Sequence, residues 1–441
     1  METNLTLAVP HKTSGLEFLW RMARNPLDAL TDLAREQGDI AHVKVGRREV
    51  FLLAHPEFIE QVLVKQAHNF VKGRALQRAR ILLGEGLLTS EGPEHLVQRR
   101  ALQPAFHRQR MEEYAAVMGF STLNEISTWQ DGQRVDMSDA MMRLTLDVAL
   151  RSFFGIAPEG AAERVRRSMS ILLRLFPITA LPLPDSARSW FPNFKRAAAD
   201  LNAITAELIA HPQSRLAQTA LVNLLKQHGG FSEEQIRAHA LTFLLAGHET
   251  TALLLAWCWD LLAHHPLAQD KLQAEIDSVI GDRLPTAEDL AWLPYTRAVV
   301  KEALRLRPPA WTLGRQTLHA CEIGGQVIPA GATVLVSPWV THHDPRFYDN
   351  PHAFRPERWD VIEQLPIPRY AFFPFGGGER VCIGEHFALT EASVVLALAI
   401  RRWQALPAQE SARPQPSITL RPRGAVQVLL EKKKIISILS F

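Results

Sequence analysis

Ten residues near the C-terminal end, Phe375-Gly376-Gly377-Gly378-Glu379-Arg380-Val381-Cys382-Ile383-Gly384, constrain this chain more than any other stretch. Consecutive glycines ahead of a cysteine let the backbone curl closely around a sulfur, because no Cβ blocks the approach. From Ile383 onward, Phe387, Leu389, Val395, Leu396 and Leu398 fall at near-helical spacing, which places Cys382 at a helix N-terminus. Free N–H groups and the positive dipole end stabilise a thiolate there. Arg380 adds a cation able to pair with a carboxylate ligand.

The surroundings narrow the options. Of 441 residues, 47% are hydrophobic and 22% charged, which excludes a disordered or low-complexity chain. A net charge of +3 is too balanced to indicate nucleic-acid binding. The three cysteines, Cys258, Cys321 and Cys382, form no C-x-x-C pair and no disulfide framework, which favours a reducing compartment. The first ten residues lack a secretory signal, and no membrane anchor follows them. Residues 238–263 are long and apolar enough to consider as a spanning helix, but His248-Glu249-Thr250-Thr251 interrupt them at the centre, so a buried helix carrying a site is expected.

Along the chain, Asn25-Pro26 starts a helix that Gly38 stops. Residues 40–45 and 49–54 alternate as strands around a Gly46-Arg47-Arg48 turn. Residues 56–265 are mostly helical, with loops at 83–93, 130–133 and 176–192. Pro177, Pro182, Pro184 and Pro192 exclude a helix interior from the last loop, which is either a packed surface loop or an apolar flap over an entrance. Strand signals return at 327–329, 333–337, 417–420 and 426–430. The expectation is one mainly α body, 1–441, with small β-sheets: a β-containing region near 38–60, a helical body near 93–310 and the cysteine loop near 372–388.

Other motifs fall away. His248-Glu249 begins H-E-x-x-H, but Ala252 replaces the second ligand. Gly376-Gly377-Gly378 lacks the last glycine of a dinucleotide fingerprint, and there is no Walker G-K-[ST] or G-x-S-x-G elbow. His342-His343-Asp344 reads as a solvated loop rather than a metal site. A thiolate at a helix N-terminus, wrapped by glycines, suits the axial position of a haem iron, where sulfur pushes electron density toward bound oxygen.

The pattern F-G-x-G-x-R-x-C-x-G resembles the haem-binding loop of the cytochrome P-450 superfamily, the haem-thiolate monooxygenases. Glu302-Ala303-Leu304-Arg305 resembles the family's E-x-x-R motif, and Phe354-Arg355-Pro356-Glu357-Arg358-Trp359 its partner segment. The resemblance implies a buried ion triad of Glu302, Arg305 and Arg358; alone, Glu302 and Arg305 would be one i,i+3 surface pair. Ala246-Gly247-His248-Glu249-Thr250-Thr251 matches the family's distal-helix motif. Ser232 with Gln235 makes a capping box at that helix's start, and His264-His265-Pro266 marks its end. Gly247 beside the acid and hydroxyl suggests a local distortion. Glu249 and Thr250 form the implied proton relay. Gly92-Pro93-Glu94-His95-Leu96-Val97-Gln98-Arg99-Arg100 resembles the propionate-binding helix, with His95 where many members have Trp. His95 and Arg99 lie one turn apart and face the same carboxylate. Pro308-Pro309-Ala310-Trp311-Thr312-Leu313-Gly314-Arg315 resembles the segment after E-x-x-R, with Arg315 reaching a propionate and Ala310, Trp311, Thr312 and Leu313 lining the pocket.

The resemblance therefore implies the cytochrome P-450 fold, of a soluble, cytoplasmic, bacterial type. Haem b (iron protoporphyrin IX) is held through Cys382, with Phe375, Gly376, Arg380, Gly384 and Ala246 around it. One atom of dioxygen enters an apolar substrate, a fatty acid, terpenoid or similar. Electrons come from NAD(P)H through a separate ferredoxin or flavodoxin with its reductase, drawn to a basic face that includes Arg99, Arg100, Arg108, Arg110 and Arg380. No nucleic acid is involved. A peroxide-using or isomerising enzyme usually lacks the acid–alcohol pair, and a gas sensor would bring an output domain.

Overall fold

The computed structural model describes residues 13–155, 158, 160–179, 192–210, 225–226, 230–281, 283–364 and 366–433. Its strands are β1 (Ile40–Val45), β2 (Arg48–Leu53), β3 (Phe70–Lys72), β4 (Arg134–Asp136), β5 (Leu313–Thr317), β6 (Cys321–Ile323), β7 (Gln326–Ile328), β8 (Thr333–Val336), β9 (Trp403–Pro407), β10 (Pro414–Pro416), β11 (Leu420–Pro422) and β12 (Gln427–Lys432). One five-stranded sheet runs β1-β2-β8-β5-β3, with β2 and β8 parallel and the other pairs antiparallel. A second sheet runs β4-β12-β9, and β6–β7 and β10–β11 form two-stranded ribbons.

The chain is mainly helical, and its largest apolar cluster is threaded by the helix Glu233–Ala263. Ser232 accepts from the Gln235 N–H while the Gln235 side chain returns to the Ser232 N–H, so two orphan donors are satisfied at its start. Its 31 residues span about 46 Å. It is long and apolar enough to cross a membrane, but most of its apolar window is buried, as in a core helix. The expected distortion at Gly247 is absent: the segment stays helical throughout. A Cβ there would come within 2.8 Å of the Phe153 ring, so the glycine gives Phe153 room to pack. The helix Glu385–Arg402 follows the cysteine loop, and Pro294–Leu306 carries E-x-x-R.

Other expectations change as well. The helix Ala161–Thr179 runs through Pro177, so the loop begins later; residues 180–191 lie outside the described residues. Pro192 opens the next helix, Pro192–Ala210, rather than sitting in the loop. Residues 417–419 form the tip of the β10–β11 hairpin instead of a strand. Finally, His342 and His343 are buried, not solvated. The His342 ring stacks on Phe372 and accepts the Phe373 N–H, and the His343 ring bonds the Trp339 carbonyl. No cluster of metal-binding side chains exists among the described residues.

Candidate active site

The loop before the cysteine helix is closed by the Cys382 N–H, which donates to the Phe375 carbonyl at 2.9 Å. Gly376 (φ 76°) and Gly378 (φ 67°) take left-handed conformations. A Cβ at Gly378 would lie 2.0 Å from the Leu63 carbonyl oxygen, so no other residue fits there. Cys258 is buried and Cys321 partly so, whereas Cys382 keeps exposed surface at the bottom of a cleft of about 1330 Å³. Burial deep in that cleft pushes the Cys382 thiol up, while a bond to Gly384 and the charge of Arg99 oppose it.

The three expected ion partners meet. Glu302 accepts from Arg305 Nε and Nη2 at 2.9 and 2.8 Å, and from Arg358 Nε at 2.8 Å. The Trp359 indole (3.1 Å) and the Arg355 N–H (3.0 Å) also donate to it. Side-chain exposures are 0% for Glu302 and Arg305 and 3% for Arg358. The remaining guanidinium donors reach carbonyls, including His342 and Pro351 for Arg305 and Asp349 for Arg358. The network fixes the segment that leads into the cysteine loop.

A second charged cluster is more unusual. The β3–β5 register sets Lys72 opposite Arg315, two like charges across one antiparallel pair. Arg380 pairs with Glu91, and its Nη1 is buried without a partner. Lys72 Nζ donates to the Ser90 and Leu87 carbonyls at 2.6 and 3.1 Å. Burial lowers the Lys72 ammonium to about 7, despite the nearby Glu91 carboxylate, with Arg380 and Arg315 adding to the fall. Burial also lowers Arg315 to about 10, with Arg380 contributing. His95, pushed down to about 4 by burial and then by Lys72, is neutral. Two arginines and a partly charged Lys72 thus share one carboxylate, and the site suits a ligand with two carboxylates. Sequence reasoning found His95, Arg315 and Arg380 but missed Lys72 and Glu91. Arg99 instead donates to the Val381 carbonyl at 2.7 Å, beside the cysteine.

On the distal helix Ala246 is exposed and Thr250 half-buried, so this face opens inside an otherwise buried helix. The Thr250 hydroxyl donates to the Ala246 carbonyl at 2.9 Å. Glu249 is buried, and its carboxylate accepts from Thr419 Oγ1 and Arg421 Nη2, both at 2.6 Å. That hairpin contact was not foreseen. Leu313 packs 3.6 Å from where a Cβ of Gly376 would sit. Ala310 and Thr312 are half-buried, and the Thr312 hydroxyl has no partner. Trp311 departs from the expected lining: it packs with Leu30 and Leu52 and donates to the Ser417 carbonyl at 2.9 Å, because its indole N–H finds an acceptor there.

Around Cys382 the cleft is lined by Arg99, Arg108, Arg297 and Lys301, with Glu112 and Glu288. Of the expected basic face, Arg380 is engaged by Glu91 and Arg110 by Glu113, while Arg100 and Arg108 are exposed.

Comparison with known proteins fits this arrangement. The family model described as cytochrome P-450 matches residues 9–436. Cyclooctatin synthase of Streptomyces melanosporofaciens is 36% identical over 421 residues, covering 91% of this chain and 89% of the relative. Cyclooctat-9-en-7-ol 5-monooxygenase of the same organism is 36% identical, covering 91% and 88%. Pentalenene oxygenase of Streptomyces avermitilis is 32% identical, covering 87% and 88%.

Proposed function

The chain belongs to the cytochrome P-450 family and is a haem monooxygenase that takes an apolar substrate and electrons from a redox partner; from that premise we propose that it hydroxylates a terpenoid, with Cys382 as the iron ligand. The similarity to a cyclooctatin synthase, a cyclooctat-9-en-7-ol 5-monooxygenase and a pentalenene oxygenase supports the substrate class. The whole chain is read as one catalytic domain, working in the cytoplasm with NAD(P)H-derived electrons from a ferredoxin or flavodoxin.

The residues present fit haem. Lys72, Arg315 and Arg380 would neutralise its two propionates, while Glu91 holds the Arg380 guanidinium and accepts from the Lys72 backbone N–H. Bound through the Cys382 sulfur, the haem supplies reductive activation of dioxygen. Thr250 presents a hydroxyl at the open face of the distal helix, one turn from Ala246, and can donate there after leaving the Ala246 carbonyl. Glu249 is tied to Arg421, which is one-third exposed, so the pair links a buried carboxylate to solvent. Together they move protons toward the reacting oxygen. The exposed cations Arg100, Arg108 and Arg297 form the face for an acidic electron donor.

The observation that carries the assignment is the glycine-wrapped Cys382 beside a cation cluster matched to a dianion. The reduced carbon monoxide complex should show the strongly red-shifted Soret band of thiolate ligation, and Cys382→Ser should abolish it. Loss of that band in Cys258→Ser or Cys321→Ser, with retention in Cys382→Ser, overturns the ligand assignment. Titration with cyclic terpenes and with fatty acids, read as a shift of the haem to high spin, tests the substrate class. A shift with fatty acids alone would reject the terpenoid.

A further inference from the structure

The N-terminal helix Gly15–Arg24 is apolar on two sides. Phe18 and Met22 face inward, where they pack with Leu27 and Leu30. On the other side Leu16, Leu19, Trp20 and Ala23 form an i, i+3, i+4, i+7 stripe, and all four are exposed. Leu16 is 82% exposed, Trp20 61% and Leu19 48%. An isolated exposed leucine needs no explanation, but a complete stripe with a tryptophan in it does.

The charges around the stripe say what covers it. Glu17 and Glu36 are taken by Arg21, and Glu49 by His42 and Lys44. Arg24 lies over the Trp20 ring, 5.5 Å from its centroid, at one end of the stripe. At the other end Gly15 abuts the backbone of Lys44 and Val45 so closely that a Cβ would clash. The turn that follows carries Arg47 and Arg48, both exposed. No ion pair to Arg24, Arg47 or Arg48 is formed among the described residues, so a cationic rim flanks the stripe at both ends.

We infer that Gly15–Arg24 is a docking helix for an anionic phospholipid surface, lying in the headgroup plane with Leu16, Leu19 and Trp20 immersed and Arg24, Arg47 and Arg48 against the phosphates. Tryptophan and arginine are the residues that settle at that depth, one with an apolar body and polar edge, the other with a long apolar stem. A second copy of the chain fits less well. One ten-residue helix offers far less than the roughly 800 Å² per partner of a standard interface, and two cationic rims would repel. The attachment is peripheral, and it places the enzyme where apolar substrates concentrate.

The test is flotation of the haem-loaded protein with phosphatidylcholine vesicles, with and without phosphatidylglycerol, followed by haem absorbance. Wild type should float with the anionic vesicles and much less with the neutral ones. Leu16→Ser/Trp20→Ser should weaken the partition at least about tenfold, and Arg47→Glu/Arg48→Glu by a similar factor. These surface variants should keep the wild-type melting temperature and carbon monoxide spectrum. Flotation equal on neutral vesicles would overturn the cationic half of the inference. No flotation on either kind would overturn the whole, as would a wild-type dimer in sedimentation velocity that Leu16→Ser/Trp20→Ser converts to monomer.

Discussion

Replacing Glu302 by alanine removes the acceptor of five hydrogen bonds, from Arg305 Nε and Nη2, Arg358 Nε, the Trp359 indole and the Arg355 N–H. Two guanidinium groups, 0% and 3% exposed, would then face each other without a counter-charge. Breaking a buried ion pair from one side costs about 3–5 kcal/mol. The carbonyls of His342, Pro351, Ala353 and Asp349 still accept from both arginines, which places the loss toward the lower end of that range. For a chain of this size the melting temperature should fall by about 3–4 °C. Glu302→Gln keeps acceptor and shape but not the charge, and should lose roughly half as much. Because Pro294–Leu306 and the segment around Arg358 lead into the cysteine loop, the thiolate-type carbon monoxide band should shrink along with stability. Thermal unfolding and haem retention, measured together, check this. A Glu302→Ala protein melting within about 1 °C of wild type, with the full band, would refute the view that the triad holds the proximal side.

Other outcomes follow from the same geometry. Thr250→Ala should leave haem content and substrate binding near wild type while product per reduced cofactor falls and hydrogen peroxide rises, with an effect of about 10²–10⁴-fold on coupled turnover at most. Arg421→Leu should slow turnover and not raise peroxide to the same degree, since it disturbs Glu249 rather than Thr250; equal profiles for the two variants would argue against separate roles. Lys72→Met and Arg315→Met should each weaken haem retention in a competition with apomyoglobin, and Lys72→Met should act though it lies far from Cys382 in sequence. Acid stability should carry the mark of the histidines that burial lowers, among them His95 and His239 (each about 4) and His342 (about 3). Unfolded chains bind protons near the ordinary histidine value of about 6.5, so stability should be intact above that pH and fall as pH drops toward 4. His342→Gln, which retains an acceptor for the Phe373 N–H, should flatten the slope in a pH series of melting curves.

How much of this could be read from residues alone depended on distance along the chain. The cysteine loop, the Ser232 capping box and E-x-x-R are local, and their chemistry is visible in the residues that carry them. Lys72 was invisible because its meaning comes from facing Arg315 across β3–β5, and a three-residue strand has no periodicity to betray it. Arg421 reaches Glu249 from 172 residues away. Trp311 misled because an aromatic in a pocket-like segment packs equally well against a neighbouring cluster, and His342 misled because a polar run looks solvated until Phe372 and Phe373 cover it.

The β10–β11 hairpin ties these observations to enzyme redesign. Its tip and second strand give Ser417 to the Trp311 indole, Leu420 to the Trp257 indole, and Thr419 and Arg421 to Glu249. A turn of three residues therefore sets both the wall that packs against the 308–315 segment and the orientation of an acid on the distal helix. Lengthening or repacking that turn would shift the 308–315 segment and rotate the acid at the same time. Selectivity and coupling efficiency should then drift together in any library built at 417–421, and variants with improved fit should need a second, compensating change at Glu249 or Arg421 before their electrons are spent on product.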